Sequence, residues 1–186
     1  MQNIEDTLTV YNKVNTLKDE SRVRRGWVVR NIPERVESVA EHCFAMSNLA
    51  ILLNLQYQLN LDMSKVLTMI NIHEYGEVEI GDVIPSDNVS REKKHELELN
   101  GIKKILKNHP GQNTIVELWK EFEEAETDEA IFVCILDKFQ SVLQAKEYSE
   151  KYQRKEIFDE FRDWYLKILE EKHYETTSLA IKILHL

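Results

Sequence analysis

Apolar residues recur at helical spacing almost from the start of the chain. Ile4, Leu8, Tyr11 and Val14 share one face and predict a first helix, followed by an irregular stretch at about 20–36 that contains Gly26 and Pro33. "SVAE" at 38–41 has the form of a capping box, with Ser38 as N-cap and Glu41 three residues later; a long apolar helix follows to about residue 58. Asp62 or Ser64 opens the next helix, "MSKVLTMINIHEYG", with Gly76 as its terminator. After a loop at "DVIPSDNVS", Ser90 caps a helix that runs to His109-Pro110-Gly111, and a shorter helix covers about 113–124. Thr127 caps "DEAIFVCILDKFQSVLQAKEYS"; a helix at about 155–172 and a short final one complete the chain. No sustained period-2 alternation, internal repeat or interdomain linker interrupts this pattern, so the expected fold is an all-α helical bundle.

Composition narrows the class. With 186 residues, 42% hydrophobic and 31% charged, the chain is long and apolar enough for one core, and a single domain over 1–186 is expected. No segment has the pattern of a signal peptide or a membrane span. Cys43 and Cys134 lack a CxxC partner and read as buried free thiols in a reducing compartment, which points to the cytoplasm. A net charge of −9 argues against binding a nucleic acid polymer. Basic charge is concentrated locally: residues 22–35, "RVRRGWVVRNIPER", hold five of the eight arginines and one acid. An acidic protein with one arginine-rich segment suits a small anionic ligand.

One stretch runs against ordinary surface patterning. "NIHEYGEVEIGDVIP", residues 71–85, crowds Glu74, Glu77, Glu79 and Asp82 around His73 with no local lysine or arginine. A bound cation would account for that charge. Asp137 strengthens the reading, because it follows "IFVCIL" and shares a stripe with Ile131 and Cys134, where an unpaired carboxylate is very costly. Its neighbour Lys138 points about 100° away on a helix and is not an obvious partner. His42 lies on the apolar side of its helix with Met46 and Leu49, and His73 follows "VLTMINI". Two imidazoles and two carboxylates, with Glu74 as the fourth group, would make a divalent-cation site drawn from three separate helices. Taken singly, each residue has an ordinary explanation: a hydrogen-bonded core histidine, a capping aspartate, solvated loop acids, a surface arginine patch.

The order His42 … His73-Glu74 … Asp137 resembles the HD superfamily of metal-dependent phosphohydrolases, whose pattern is His … His-Asp … Asp. "GWVVRNIPERVESVAEHCF", "IHEYGEVEIGDVIP" and "LDKFQSVLQA" together are similar to small HD proteins of the bacterial 5′-deoxynucleotidase type, across about residues 20–150. The helices expected at 155–186 add no motif. The resemblance implies an HD-domain bundle and a phosphohydrolase acting on small phosphomonoesters such as nucleoside 5′-monophosphates. It implies one divalent metal held by His42, His73, Glu74 and Asp137; the imidazoles favour Mn, Co, Fe, Ni or Zn over Mg. Glu77 matches the catalytic Glu of the pattern, and its i+4 spacing from His73 would place it beside that residue on a helix. Asp82 matches the Asp of the GD element and counts with Glu77 as a catalytic candidate; it would lie near the sugar or just behind the metal ligands. Arg24 or Arg25 would clamp phosphate, and Trp27 would lie beside the sugar and disfavour a 2′-hydroxyl. Lys93 and Lys94 are weaker phosphate candidates, and Glu79 reads as a solvated acid. The departure is Glu74, which stands where the pattern has Asp. Alternative functions are hydrolysis of nucleoside triphosphates or cyclic nucleotides, or a nucleotide- or metal-binding module that has lost turnover through that replacement. Apolar helix faces and the dimers of similar proteins imply a homo-oligomer.

Overall fold

In the computed structural model, residues 4–20, 32, 35–80 and 89–172 are described. They form α1 (Ile4–Val14), a 3-10 turn (Asn15–Lys18), α2 (Val39–Tyr57), α3 (Met63–Ile72), α4 (Glu77–Ile80), α5 (Arg91–Ile105), α6 (Gln112–Glu124), α7 (Asp128–Tyr152) and α8 (Lys155–Lys172). Among the described residues no extended strand occurs, as the period-3.6 pattern predicts.

The helix starts follow from their caps. Ser38 Oγ accepts from the Glu41 backbone N–H, and Glu41 Oε2 accepts from the Ser38 N–H at 2.7 Å, which completes the capping box. That backbone N–H, with further help from Arg35, holds the Glu41 carboxyl below its ordinary pKa against the burial that raises it. Asp62, Ser90 and Thr127 cap α3, α5 and α7 through their side chains. The α5 helix stops at Ile105, a little before the His109-Pro110-Gly111 sequence expected to end it.

The central element is α7. At 25 residues it spans about 37 Å, and it buries side chains all round its circumference as a central helix does. One side, with Ala130, Val133 and Leu136, meets Val39, Met46 and Ala50 of α2 and Val66, Met69 and Ile70 of α3. The other side, with Ile135, Phe139 and Val142, is covered by Tyr165 and Leu169 of α8. A third cluster ties Ile72 to Ile102 of α5, to Leu106 at its C-cap, and to Val116 and Trp119 of α6. The α2, α3 and α7 helices thus converge in the core, each bringing a polar side chain with it.

Periodicity identified α1 correctly but not its environment: Ile4, Leu8 and Tyr11 are exposed. Phe44, Ile51, Leu52 and Leu55 of α2 are exposed as well, along a helix without a charged side chain from Cys43 to Tyr57. Spacing reveals that a face is apolar; it carries no information about what covers it.

The α3 helix also ends earlier than its pattern predicts. It stops at Ile72, His73 is the C-cap, and residues 73–76 form a turn before α4 begins at Glu77. Gly76 serves this turn by allowing close approach. A Cβ there would lie 2.8 Å from Glu98 Cβ and 2.9 Å from Glu98 Cα on α5. Gly101 approaches from the opposite side, where a Cβ would meet the Gly76 carbonyl oxygen at 2.9 Å. Gly76→Ala must therefore push α5 away from the turn, and a loss of about 1–3 kcal/mol is expected in urea unfolding. Gly111→Ala, which meets only the His109 ring, is expected to cost under about 1 kcal/mol in the same measurement.

Candidate metal centre

His42, His73, Glu74 and Asp137 come together as the sequence predicts. Each offers one ligand atom, the four atoms lie within 4.8 Å of one another, and all four residues are buried. The arrangement begins with α2, whose second turn carries His42 inward above Met46. Its Nε2 lies 3.1 Å from Asp137 Oδ1, and its Nδ1 lies 2.6 Å from Gln140 Oε1. Asp137 and Gln140 are three residues apart on α7 and so present both oxygens to one imidazole.

His73 is held by its own turn. Its Nδ1 lies 2.7 Å from the Ile70 carbonyl oxygen, a group that only accepts, so Nδ1 carries the proton. In the neutral imidazole Nε2 is then the lone-pair nitrogen. That atom is buried, has no hydrogen-bond partner among the described residues, and lies 3.4 Å from Glu74 Oε1. The ring packs edge-on against Phe122, and the indole N–H of Trp119 donates to the His73 carbonyl at 3.3 Å, so α6 fixes the residue from behind.

These contacts test whether the donor set suits a cation. A lone pair facing a carboxylate oxygen in the core is unfavourable with nothing between them. The 3.1 Å and 3.4 Å spacings resemble those of adjacent ligands about 3.0 Å apart around an ion with bonds of about 2.1 Å. The widest separation, up to 4.8 Å, compares with about 4.2 Å across such an ion. Small inward shifts would close the set. Two imidazoles and two carboxylates fit a divalent cation.

Glu74 replaces the Asp of the motif, yet its longer stem still brings the carboxylate to the cluster. Glu77 is buried as the first residue of α4, with its backbone N–H on the Glu74 carbonyl at 3.1 Å. It does not share a helix with His73, because the turn intervenes; its nearness comes from that turn rather than from i+4 spacing. Glu79 is not simply solvated. Lys104 and, at 3.9 Å, Lys13 provide its counter-charge from α5 and α1. The stretch that lacks lysines in sequence obtains them through the fold.

Lys138 also departs from the sequence reading. Its ammonium pairs with Asp137 Oδ2 despite the angle between neighbouring helix positions, because a flexible four-carbon stem can curl back. Arg35 makes a bidentate pair with Glu41 at 2.9–3.0 Å. Lys93 pairs with Glu96, and Lys94 with Glu98 at 3.3 Å. Arg24, Arg25, Trp27 and Asp82 lie outside the described residues.

Three participants were missed in the sequence. Glu98 is buried on α5 against the Gly76 turn; burial pushes its pKa up, Lys94 opposes this, and Glu123 and Glu74 add to it. Gln140 and Glu37 are buried and hydrogen-bonded to each other at 3.0 Å. Gln140 stood within the "LDKFQ" motif, where its i+3 spacing from Asp137 was the available signal. Nothing local distinguishes Glu37 or Glu98 from surface acids.

The HD domain family matches residues 14–177. A Dictyostelium discoideum relative, 5′-deoxynucleotidase HDDC2, is 33% identical over 158 residues, covering 81% of this chain and 80% of that protein. The Homo sapiens protein of that name is 34% identical over 142 residues, covering 75% of this chain and 68% of its own. Among solved structures, PH0347 protein from Pyrococcus horikoshii OT3 superposes with a TM-score of 0.75 at 29% identity, over 98% of this chain and 96% of that one. All four clustered side chains fall inside the matched span, and the chain belongs to the HD-domain family.

Proposed function

We propose that this protein is a metal-dependent phosphohydrolase that releases phosphate from nucleoside 5′-monophosphates, with deoxyribonucleotides as the preferred class. The observation that carries the reading is the buried His73 Nε2, which has no hydrogen-bond partner among the described residues and faces Glu74 within a cluster that also holds His42 and Asp137. The relatives named 5′-deoxynucleotidase support the substrate class.

In this reading His42, His73, Glu74 and Asp137 are the ligands, and the nitrogen donors favour Mn, Co, Fe, Ni or Zn over Mg. When bound, the ion polarises the phosphate and lowers the pKa of the attacking water. Glu77 accepts a proton as the water oxygen bonds to phosphorus, and returns one to the departing alkoxide as the P–O bond to the sugar breaks. Arg24 or Arg25 grips the phosphate through two parallel N–H donors. Trp27 stands beside the sugar and disfavours a 2′-hydroxyl, and Asp82 orients the sugar. Glu74 keeps its carboxylate at the cluster, which supports an active enzyme over a module that has lost turnover. The reading treats 1–186 as one HD domain working in the cytoplasm on a small substrate, without nucleic acid polymer or membrane. Among the described residues no helix is long and apolar enough to cross a membrane.

The protein is further read as a homodimer. The exposed Phe44, Leu52 and Leu55 lie on a charge-free stretch of α2 in a chain of net charge −9, and a second copy can meet that face without like-charge repulsion. Light scattering is expected to give twice the chain mass. Leu52→Glu together with Leu55→Glu is expected to give the monomer; an unchanged mass would place the interface elsewhere.

The activity is tested by phosphate release from a nucleotide panel with the metal-reconstituted protein. Inorganic phosphate from monophosphates is expected; pyrophosphate or triphosphate release would identify a triphosphate hydrolase. Roles within the acid cluster separate in two variants. Glu74→Gln is expected to weaken metal binding, with part of the rate recovered in excess metal. Glu77→Gln is expected to keep metal and substrate binding and lose about 10²–10⁴-fold in kcat. Metal content and kinetics on the same preparations check both; a metal-free Glu77→Gln protein, or full occupancy in Glu74→Gln, would exchange the two roles.

A further inference from the structure

A metal-binding imidazole must keep its proton on one nitrogen and offer the other. His73 has this choice made for it by a backbone carbonyl, which can only accept. His42 does not. Its Nδ1 faces a glutamine side chain, and a glutamine amide can present either an acceptor oxygen or a donor NH2. If the amide turned, Nδ1 would become the acceptor and the proton would move to Nε2. That alternative is well satisfied, because Asp137 Oδ1 is 3.1 Å from Nε2 and would accept the proton. It would also close the nitrogen to a cation. The imidazole alone therefore does not select the ligand-competent form, and something further along must.

The next group along is Glu37. Gln140 Nε2 lies 3.0 Å from Glu37 Oε2. The structure turns the NH2 end of Gln140 to Glu37 and its oxygen to His42, the arrangement that an ionised, acceptor-only carboxylate enforces. Each bond then has one allowed direction: Gln140 donates to Glu37, and His42 Nδ1–H donates to Gln140 at 2.6 Å. All three side chains are buried, where a misdirected amide cannot turn to water for relief. Glu37 is anchored in turn: its backbone N–H donates to Tyr148 Oη at 2.9 Å, and burial pushes the Tyr148 phenol up to about 12, so it remains neutral. Asp137, Gln140 and Tyr148 fall on one stripe of α7, so this single helix supplies a ligand, the relay amide and the anchor.

We propose that Glu37 is a positioning residue that fixes the direction of the Glu37–Gln140–His42 chain and thereby keeps the His42 Nε2 lone pair aimed at the cation site. The proposal rests on the metal-centre reading above. It assigns a role in metal affinity to a carboxylate that reaches His42 through the Gln140 amide.

Three variants test it, with two readouts. Zn²⁺ affinity is measured by chelator competition, and the protonation of His42 Nδ1 by ¹⁵N-histidine NMR on metal-free and Zn²⁺-loaded protein. Glu37→Gln has almost the same shape but lets the Gln140 amide turn; affinity is expected to fall about 10–100-fold, the range for groups that orient metal ligands, and part of the Nδ1–H signal is expected to disappear. The double variant Glu37→Gln with Gln140→Glu moves the acceptor-only group next to His42. It reverses the 37–140 bond but keeps the His42 Nδ1–H donating to residue 140 and keeps the net charge, and is expected to restore affinity to within about threefold of the unmodified protein. A packing role for Glu37 would not produce that recovery. Gln140→Met removes the relay at similar volume and is expected to weaken affinity as Glu37→Gln does, which keeps the test available if the latter folds poorly. Unchanged affinity and a full Nδ1–H signal in Glu37→Gln, or in Gln140→Met unchanged affinity, would overturn the proposal, as would a double variant no better than Glu37→Gln. Failure of the unmodified protein to bind Zn²⁺ would instead overturn the metal-centre reading, while the Nδ1–H signal of the metal-free proteins would still decide the direction of the chain.

Discussion

A carboxylate in the middle of a helix bundle has to be compensated where it stands, and Asp137 is such a carboxylate. It is 2% exposed, on the helix that touches nearly every other part of the core. His42 meets one of its oxygens and Lys138 the other. The α2 helix must therefore pass close enough to place an imidazole there, and α3 must end where His73 and Glu74 complete the group. Desolvated charge is so unfavourable that these approaches are held to a narrow range. The packing of α2, α3 and α7 and the geometry of the cluster are one constraint seen from two sides.

The turn at residues 73–76 is the second consequence. A continuous helix from Met63 to Ile80 would turn Glu74 about 100° away from His73. Ending α3 at Ile72 and restarting at Glu77 brings His73, Glu74 and Glu77 inward together. The close approach of α5 through Gly76 and Gly101 holds the turn from outside, and Trp119 and Phe122 hold His73 from α6. Glu74 on a longer stem is tolerated because a turn residue can place its side chain more freely than a residue within a rigid helix.

The cap-forming residues Ser38, Asp62, Ser90 and Thr127 were legible in the sequence because capping is local chemistry read over three residues. The four clustered side chains were legible because a polar residue inside an apolar stripe contradicts its surroundings. What escaped was set by partners distant in sequence. Glu79 looked solvated until Lys13 and Lys104 arrived from other helices, and Glu98 gave no sign of lying against Gly76. Glu37, 103 positions from Gln140, looked like any acid before a helix cap. The α1 stripe shows the converse: its period was right, yet Ile4, Leu8 and Tyr11 face outward, since periodicity specifies a helix and leaves open what covers it.

A single cation held by the buried imidazoles and carboxylates of α2, the turn after α3, and α7 would be visible in an anomalous-difference map from crystals grown with Mn²⁺. One strong peak is expected within bonding distance of His42 Nε2, His73 Nε2 and a carboxylate oxygen of each of Glu74 and Asp137. A map with no peak among these four residues, or with its peak bound by other side chains, would contradict it.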